Sequence, residues 1–488
     1  MAITNANFNN VDYVKVAGKR IITCSSDKIG TSNVFNYKFL LEITYDGNTY
    51  SYTFRPNDND YGIINITKIL QTFGRIKVTQ EEKTIPSSVT ASTSETVAFN
   101  QSIFDAPHFD KTGSTLYPLL FSTNDSFRKV ELELFDFYGT TVDEVPTKQT
   151  AGSQSATMYI ISGYDRESDL INVDYTQYKL DGTTKLFITS NHEDEGSHKA
   201  IRNLFYKDFG TISFLGATKG VNENALPNYF QVRYYKFTGT QIGSMYIPNS
   251  ALYGGQVPNT TLEVNYLLTV GCYPANLNKL PSSFTRPIDV KSLSLGYYEV
   301  FFSSDVAGSS EVSKRYRFYH SSADMSTDCG RYDRQRFAYV NSFGAFEYIT
   351  FTEIRTDNIT SSKTNIKGSV FNYQGTYNYG SYTSYGKEYR EQAYVPNVAH
   401  QSEKIISTNF NETFTVNTGF LSKSDTKKVE ELFLSARVIY LDEEGSARSV
   451  ILENSSINTI NNPNKNYEQV SYSLTFRYSI PTYNETIF

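Results

Sequence analysis

Between Val34 and Tyr45 the chain alternates. Phe35, Tyr37, Phe39, Leu41, Ile43 and Tyr45 stand against Asn36, Lys38, Glu42 and Thr44. A period of two predicts a half-buried strand, because successive side chains of a strand point to opposite faces. Asp46-Gly47-Asn48 then predicts a tight turn, and Tyr50, Tyr52 and Phe54 the returning strand of a hairpin. Past a loop from Pro56 to Gly62, the run Ile63 to Phe73 ends at Gly74 and reads as a short helix. Residues 1–80 are therefore expected to form a β-sandwich carrying one small helix.

The pattern then changes. Residues 81–102 are rich in Ser and Thr, hold almost no large apolar group, and read as a linker or extended arm. Pro146 to Thr157 reads alike. Between them Lys129 to Tyr138 contains VELELFDFY, another alternating strand. Further short strands are expected at Met158–Ile161, Lys185–Ile188, Thr211–Leu215, Gln231–Phe237, Ser244–Ile247, Leu262–Thr269 and Tyr297–Ser303. Ser197 to Asp208 is the one helix candidate of this middle region, with Ile201, Leu204 and Phe205 on a stripe. Near the C-terminus Ser422 and Asp425 precede Val429, Leu432, Phe433 and Ala436 with the spacing of a capped amphipathic helix. Strands at Val438–Leu441, Ser449–Leu452 and Val470–Ser479 follow. The resulting expectation is a mainly β chain of several sandwich-like domains, with few short helices and a small α+β C-terminal domain. Its divisions fall at 1–80, 81–102, 103–290 (one or two domains), 291–405 and 406–488. No internal repeat of constant period is visible.

Composition changes this picture in several ways. At 488 residues the chain is too long for one ordinary core. Its 39 tyrosines and absent tryptophan leave Tyr and Phe as the large core parts, and Tyr suits half-wet sheets and interfaces. A net charge of −6 carries no basic surplus for nucleic acid. Cys24, Cys272 and Cys329 are too widely spread for a disulfide framework and read as buried reduced thiols. The opening MAITNANFNNVDY shows no signal-peptide pattern, and no apolar run approaches the length of a membrane span. Synthesis in a cytoplasm is the expectation.

Candidate chemistry is sparse. The segment His192 to His198 places two histidines at i, i+6 across Gly196, which misses the i, i+4 spacing of a zinc-protease helix. Asp58-Asn59-Asp60-Tyr61-Gly62 opens like a calcium loop, but positions six and twelve would be Ile63 and Ile69, so a polar turn explains it better. No GxSxG, P-loop or GxGxxG pattern occurs. No catalytic residue, cofactor or metal site is assigned, and an enzyme is not expected. The one candidate contact element is the loop 371–390, which carries Tyr373, Tyr377, Tyr379, Tyr382, Tyr385 and Tyr389 among Gly, Ser, Asn and Thr. Such a stretch is either a low-complexity surface loop or an adaptable contact for a neighbouring subunit or a glycan.

Two stretches resemble virion structural proteins of tailed bacteriophages infecting Bacteroidota, the crAss-like group included. The first runs from Asn33-Val34-Phe35-Asn36-Tyr37-Lys38 through Tyr50–Asn57 to Gly62-Ile63-Ile64-Asn65-Ile66 and Ile69-Leu70. The second, Arg336 to Phe351, is similar to an aromatic–Asn–x–x–Gly–x–x–acid–x–x–x–Phe element, here a hairpin turning at Asn341 to Gly344. The helix and strands from Ser422 to Ser479 resemble the usual close of the same proteins. The resemblance implies a tail, tail-ring or baseplate-type component of the virion. It would assemble as a cyclic homo-oligomer against other tail proteins, without catalytic residues. The alternative is a receptor- or carbohydrate-binding module of a phage tail, with the tyrosine loop contacting a host-surface glycan.

Overall fold

A computed structural model describes residues 20–73, 127–161, 175–180, 185–215, 229–248, 267–280, 284–320, 332–367, 403–419, 423–443, 447–454 and 471–480, with short pieces between. The fold is mainly β, with several sheets and few short helices. Strands β1 (Phe35–Tyr45) and β2 (Asn48–Phe54), helix α1 (Thr67–Phe73), and strands β3 (Phe127–Gly139) and β4 (Thr147–Ile161) build the first unit. Its five-stranded sheet runs Tyr13–Lys15, β4, β3, β1, β2. The β1–β2 turn has positive φ at Asp46 (51°) and Gly47 (75°), the two left-handed positions of a type I′ hairpin. A three-stranded sheet of Ile3–Thr4, Ile21–Ser26 and Tyr61–Asn65, together with α1, closes over one face. Phe39, Leu41, Ile43, Leu132, Leu134 and Ile160 meet Ile22, Cys24, Ile66 and Leu70 in that core.

Two sequence expectations are corrected here. Ile63 and Ile64 belong to the strand Tyr61–Asn65 rather than to a helix, because Ile21–Ser26 offers a ladder partner that their β-branched side chains favour. The helix starts only at Thr67, whose N–H donates to the Asn65 side chain (3.0 Å). The polar stretch Pro146 to Thr157 is no linker. Most of it is the outer part of β4, laddered against β3 with a bulge between Leu134 and Asp136. Polar residues on a strand wet on both faces look like loop composition. Two of the five strands thus come from residues the sequence reading grouped with 103–290.

The middle unit is a six-stranded sheet built from β5 (Glu193–Glu195), β6 (His198–Leu204), β7 (Tyr229–Lys236), β8 (Gln241–Pro248), β9 (Leu295–Ser303) and β10 (Tyr316–His320). Its spatial order is β5-β6-β10-β9-β7-β8. The expected helix at Ser197 to Asp208 is therefore a strand, β6, and the reason is local. Asn203 adopts φ 63°, and the register against β10 slips between Ile201 and Leu204. This bulge brings two residues three apart onto the same buried side and imitates helical spacing. Lys185–Ile188 makes only isolated bridges, Lys185 to Ser313 and Ile188 to Ser213. Beside this sheet lies a smaller one of Phe121–Thr123, Leu267–Gly271 and Thr211–Leu215.

The last unit comprises β11 (Gln335–Val340), β12 (Phe346–Phe351), β13 (Arg355–Lys367), β14 (Glu403–Asn417), α2 (Lys423–Leu434), β15 (Val438–Leu441), β16 (Ala447–Leu452) and β17 (Ser473–Tyr478). They form one sheet in the order β12-β11-β15-β16-β17-β14-β13, with Thr486–Ile487 added beside β14. It spans the 405/406 division read from the sequence. Strand β11 is buried on both faces. Phe337 and Tyr339 join Val429 and Leu432 of α2 in one core. Ala338 and Val340 join Phe230, Tyr298 and Phe318 of the middle unit in another.

Candidate functional site

Alternation along the six-stranded sheet gives it two unlike faces. Phe230, Val232, Tyr234, Tyr298, Val300, Phe302, Tyr316 and Phe318 enter the core. Their sequence neighbours, Tyr235, Tyr297, Glu299, Phe301, Arg317 and Tyr319, take the other face, as the cross-strand pairs Tyr235–Tyr297, Tyr297–Tyr319 and Glu299–Arg317 require.

At the centre of that face sits Glu299, only 2% exposed. It accepts hydrogen bonds from Arg315 Nη1 (3.0 Å) and Arg317 Nε (2.8 Å). Arg315 also donates to Glu311 (2.6 Å), and Arg317 lies 3.6 Å from Glu195. The Tyr319 hydroxyl donates to Glu195 (2.9 Å), and Arg202 reaches Glu193 (2.9 Å) and Glu195. His198 completes the cluster. Burial first, and the Arg317 charge next, lower its proton affinity. In the neutral ring Nε2 accepts from Arg317 (3.2 Å) and Nδ1 donates to Ser197 Oγ (2.7 Å). Arg202, Arg315 and Arg317 thus meet Glu193, Glu195, Glu299 and Glu311. A buried carboxylate satisfied by two guanidiniums is costly to break, about 3–5 kcal/mol when one partner is removed. The outer pairs are worth far less each.

Aromatic rings cross the same face. Tyr235 stacks on Tyr297 with centroids 5.0 Å apart and planes 12° apart, and Tyr297 lies 5.2 Å from Tyr319. The Arg202 guanidinium caps Tyr319 at 4.7 Å, and Arg233 and Arg315 each lie 4.9 Å from the buried Phe301 ring. Tyr229 and the exposed Tyr246 pack edge to face at the β7–β8 edge. These rings are held flat by stacking and by cations, so they present a rigid surface at small entropic cost.

A second polar cluster sits where the units meet, at the turn between β11 and β12. Asn341 Oδ1 accepts from the N–H groups of Phe343 and Ala345 (3.0 Å each), and Gly344 takes φ 86°. The Asn341 amide donates to Glu347 (3.1 Å), which also accepts from Ser190 N (2.7 Å), while Ser190 Oγ donates to Glu431 of α2 (2.6 Å). Burial, and then the neighbouring Glu431 charge, push Glu347 up to about 7 against its hydrogen-bond donors. Gly163 lies against this turn, where a Cβ would meet Ser342 O at 2.5 Å. The Tyr164 N–H donates to the same oxygen (3.2 Å), just beyond β4. The Asn, Gly and acid of the hairpin element are therefore turn-forming and junction-forming groups. At the other end of β11, Arg336 pairs with Asp208 (3.0 Å), both almost wholly buried.

Tyr373, Tyr377, Tyr379, Tyr382, Tyr385 and Tyr389 lie outside the described residues, as do Cys329 and Ser422. Cys24 and Cys272 are buried free thiols, and burial pushes Cys24 up to about 12. His192 Nδ1 donates to Thr189 O (3.1 Å), apart from His198 in the arginine cluster. Among the described residues no group of three His, Cys, Asp or Glu side chains could hold a metal ion. Asn57, not an aspartate, organises the Asp58–Gly62 turn: its Oδ1 accepts from Asn59 N (3.1 Å) and Tyr61 N (2.9 Å). Sequence reasoning missed the Glu299 cluster. Its visible trace was Arg315-Tyr316-Arg317-Phe318-Tyr319, an alternation with the cations on one side. No protein-family model matches the chain, and no curated protein matches it.

Proposed function

We propose that the protein is a structural component of a bacteriophage virion, a tail, tail-ring or baseplate-type subunit that closes into a homo-oligomeric ring. The observation that carries this reading is the Tyr/Arg face of the six-stranded sheet. Tyr and Arg are the residues that interfaces concentrate and that dominate their energetics. Here they are pre-ordered, and the buried Glu299 is already paired with Arg315 and Arg317 within the subunit, so docking a partner leaves that carboxylate satisfied. The phage assignment rests on the resemblance of the β1–β2 hairpin and of the Asn341–Glu347 turn.

Light scattering on the purified chain tests it. The expected result is a discrete closed oligomer of 55.3 kDa subunits. Replacing Tyr235 and Tyr246 by Ala should shift it toward monomer, each truncation weakening association by about 2 kcal/mol, roughly thirtyfold. A monomer at every concentration, or an oligomer indifferent to both substitutions, would count against this face as the ring contact.

A further inference from the structure

Away from that face, the turn end of the β1–β2 hairpin and the last turn of α1 border an open cleft of about 430 Å³. Tyr45, Tyr50, Tyr52 and Phe73 line it, together with the exposed Asp46 and Asn48. The volume falls within the range of small-molecule sites, roughly 300–1,000 Å³. We propose that this cleft binds a pyranose unit of a glycan, stacked on the aromatic rings and held through its hydroxyls by Asp46 and Asn48.

Three features point to a sugar. The first is the disposition of the rings. Tyr45 and Phe73 stack with centroids 4.4 Å apart and planes 20° apart, and Tyr50 lies 5.6 Å from Phe73 at 41°. Phe73, only 7% exposed, backs the cleft beneath Tyr45, and the 41%-exposed Tyr50 is the ring most open to a ligand, which makes a stepped platform. A cage for a quaternary ammonium ion instead needs rings standing around the ligand with their faces free. The apolar C–H face of a pyranose matches a platform.

The second is exposure. Tyr50 is 41% exposed although it shares the core-facing side of β2 with Tyr52 and Phe54. The core is thus left open at this end, with aromatic surface facing the solvent.

The third is the polar complement. The Asp46 carboxylate has no partner among the described residues, and the Asn48 amide makes one long bond, donating to the Asp46 carbonyl (3.3 Å). A carboxylate accepts from two adjacent hydroxyls, and an amide both donates and accepts, which is what vicinal sugar hydroxyls require. These groups sit on a type I′ turn, the strand β2 and a helix end, so little conformational freedom is lost on binding.

The inference is independent of ring assembly. It places a sugar site in the first unit rather than in the tyrosine loop 371–390.

The test is a titration of the full chain, followed by calorimetry and by saturation-transfer NMR. The probes are methyl glucoside, methyl galactoside, methyl mannoside, N-acetylglucosamine, maltohexaose, cellohexaose and choline chloride. At least one saccharide should bind with millimolar or tighter affinity. Tyr50→Ala and Asp46→Asn should each weaken it about tenfold or more, whereas Tyr50→Phe, which keeps the platform, should bind nearly as wild type. Tyr50 is exposed, and Asn tolerates the left-handed turn position as Asp does, so both variants should keep the wild-type melting temperature. The proposal is overturned if no saccharide binds at about 10 mM. It is equally overturned if binding is indifferent to Tyr50→Ala and Asp46→Asn, or if choline alone binds.

Discussion

Two buried titratable residues set opposing pH dependences. Glu347 is raised to about 7 from an ordinary value of 4.5, so the folded protein holds its proton more tightly than the unfolded chain. Its contribution is fullest below the unfolded value and is lost as pH rises through 7. His320 is pushed down to about 4 by burial, aided by Lys291, and neither ring nitrogen has a hydrogen-bond partner among the described residues. Its stacking on Tyr206 (4.7 Å) holds the neutral ring. Its contribution is present above the unfolded value near 6.5 and is lost as pH falls toward 4. Each shift corresponds to about 3 kcal/mol at most, and over much of the same window the two oppose each other. Glu347→Gln should therefore gain stability relative to wild type as pH rises from 5 to 7.5 (approximate limits set by the shift). His320→Phe, which keeps the stack, should gain relative to wild type as pH falls. Thermal melts across this range check both signs, and parallel curves for variant and wild type would refute the assignment.

Turns and close approaches decide the elements. The β11–β12 turn depends on Asn341, whose side chain makes three hydrogen bonds, so Asn341→Ala should cost roughly 2–4 kcal/mol in denaturant unfolding. Asn341→Asp keeps the two acceptor bonds but faces Glu347 with a second carboxylate, and should recover only part of that loss. Gly62 is a different case. A Cβ there would lie 2.6 Å from the Phe39 ring and 2.7 Å from Cys24 Sγ, so Gly62→Ala should cost about 1–3 kcal/mol by overpacking. A Gly62→Ala variant as stable as wild type would show that the two strands can separate freely at that point.

Across the molecule, the cores are shared rather than parcelled. The largest joins residues of the six-stranded sheet to Ala338, Val340, Phe346, Tyr348, Ile439 and Leu441 of the last unit. A further cluster brings Ile161 at the end of β4 together with Tyr175, Leu215 and Ala345 beside the Asn341 turn. The middle and last units should consequently unfold in one calorimetric transition. Weakening the junction with Asn341→Ala should broaden or split it. Two well-separated transitions in the wild-type chain would mean that these shared cores contribute little coupling.

Local sequence by itself determined the elements whose cause is local. The alternation of Phe35 to Tyr45, the Asp46-Gly47 turn, the Asn341 to Gly344 turn and the stripe of α2 as far as Phe433 each arise within a dozen residues, though the helix ends at Leu434, before the expected Ala436, and the strand Val438–Leu441 matches its expected limits. They also sufficed for a mainly β fold. What needed the tertiary structure was whatever a distant partner decides. Residues 147–157 are polar enough for a loop and become a strand because β3 offers them a ladder. Residues 198–204 show a helical stripe and become β6 because β10 runs beside them, with the extra residue taken up at Asn203. Both candidate sites have the same origin. Glu299 meets Arg315 and Arg317 only across a strand pair. Phe73 reaches Tyr45 and Tyr50 only when α1 folds back over the hairpin, since side-chain chemistry is written locally but its neighbours are chosen by chain topology.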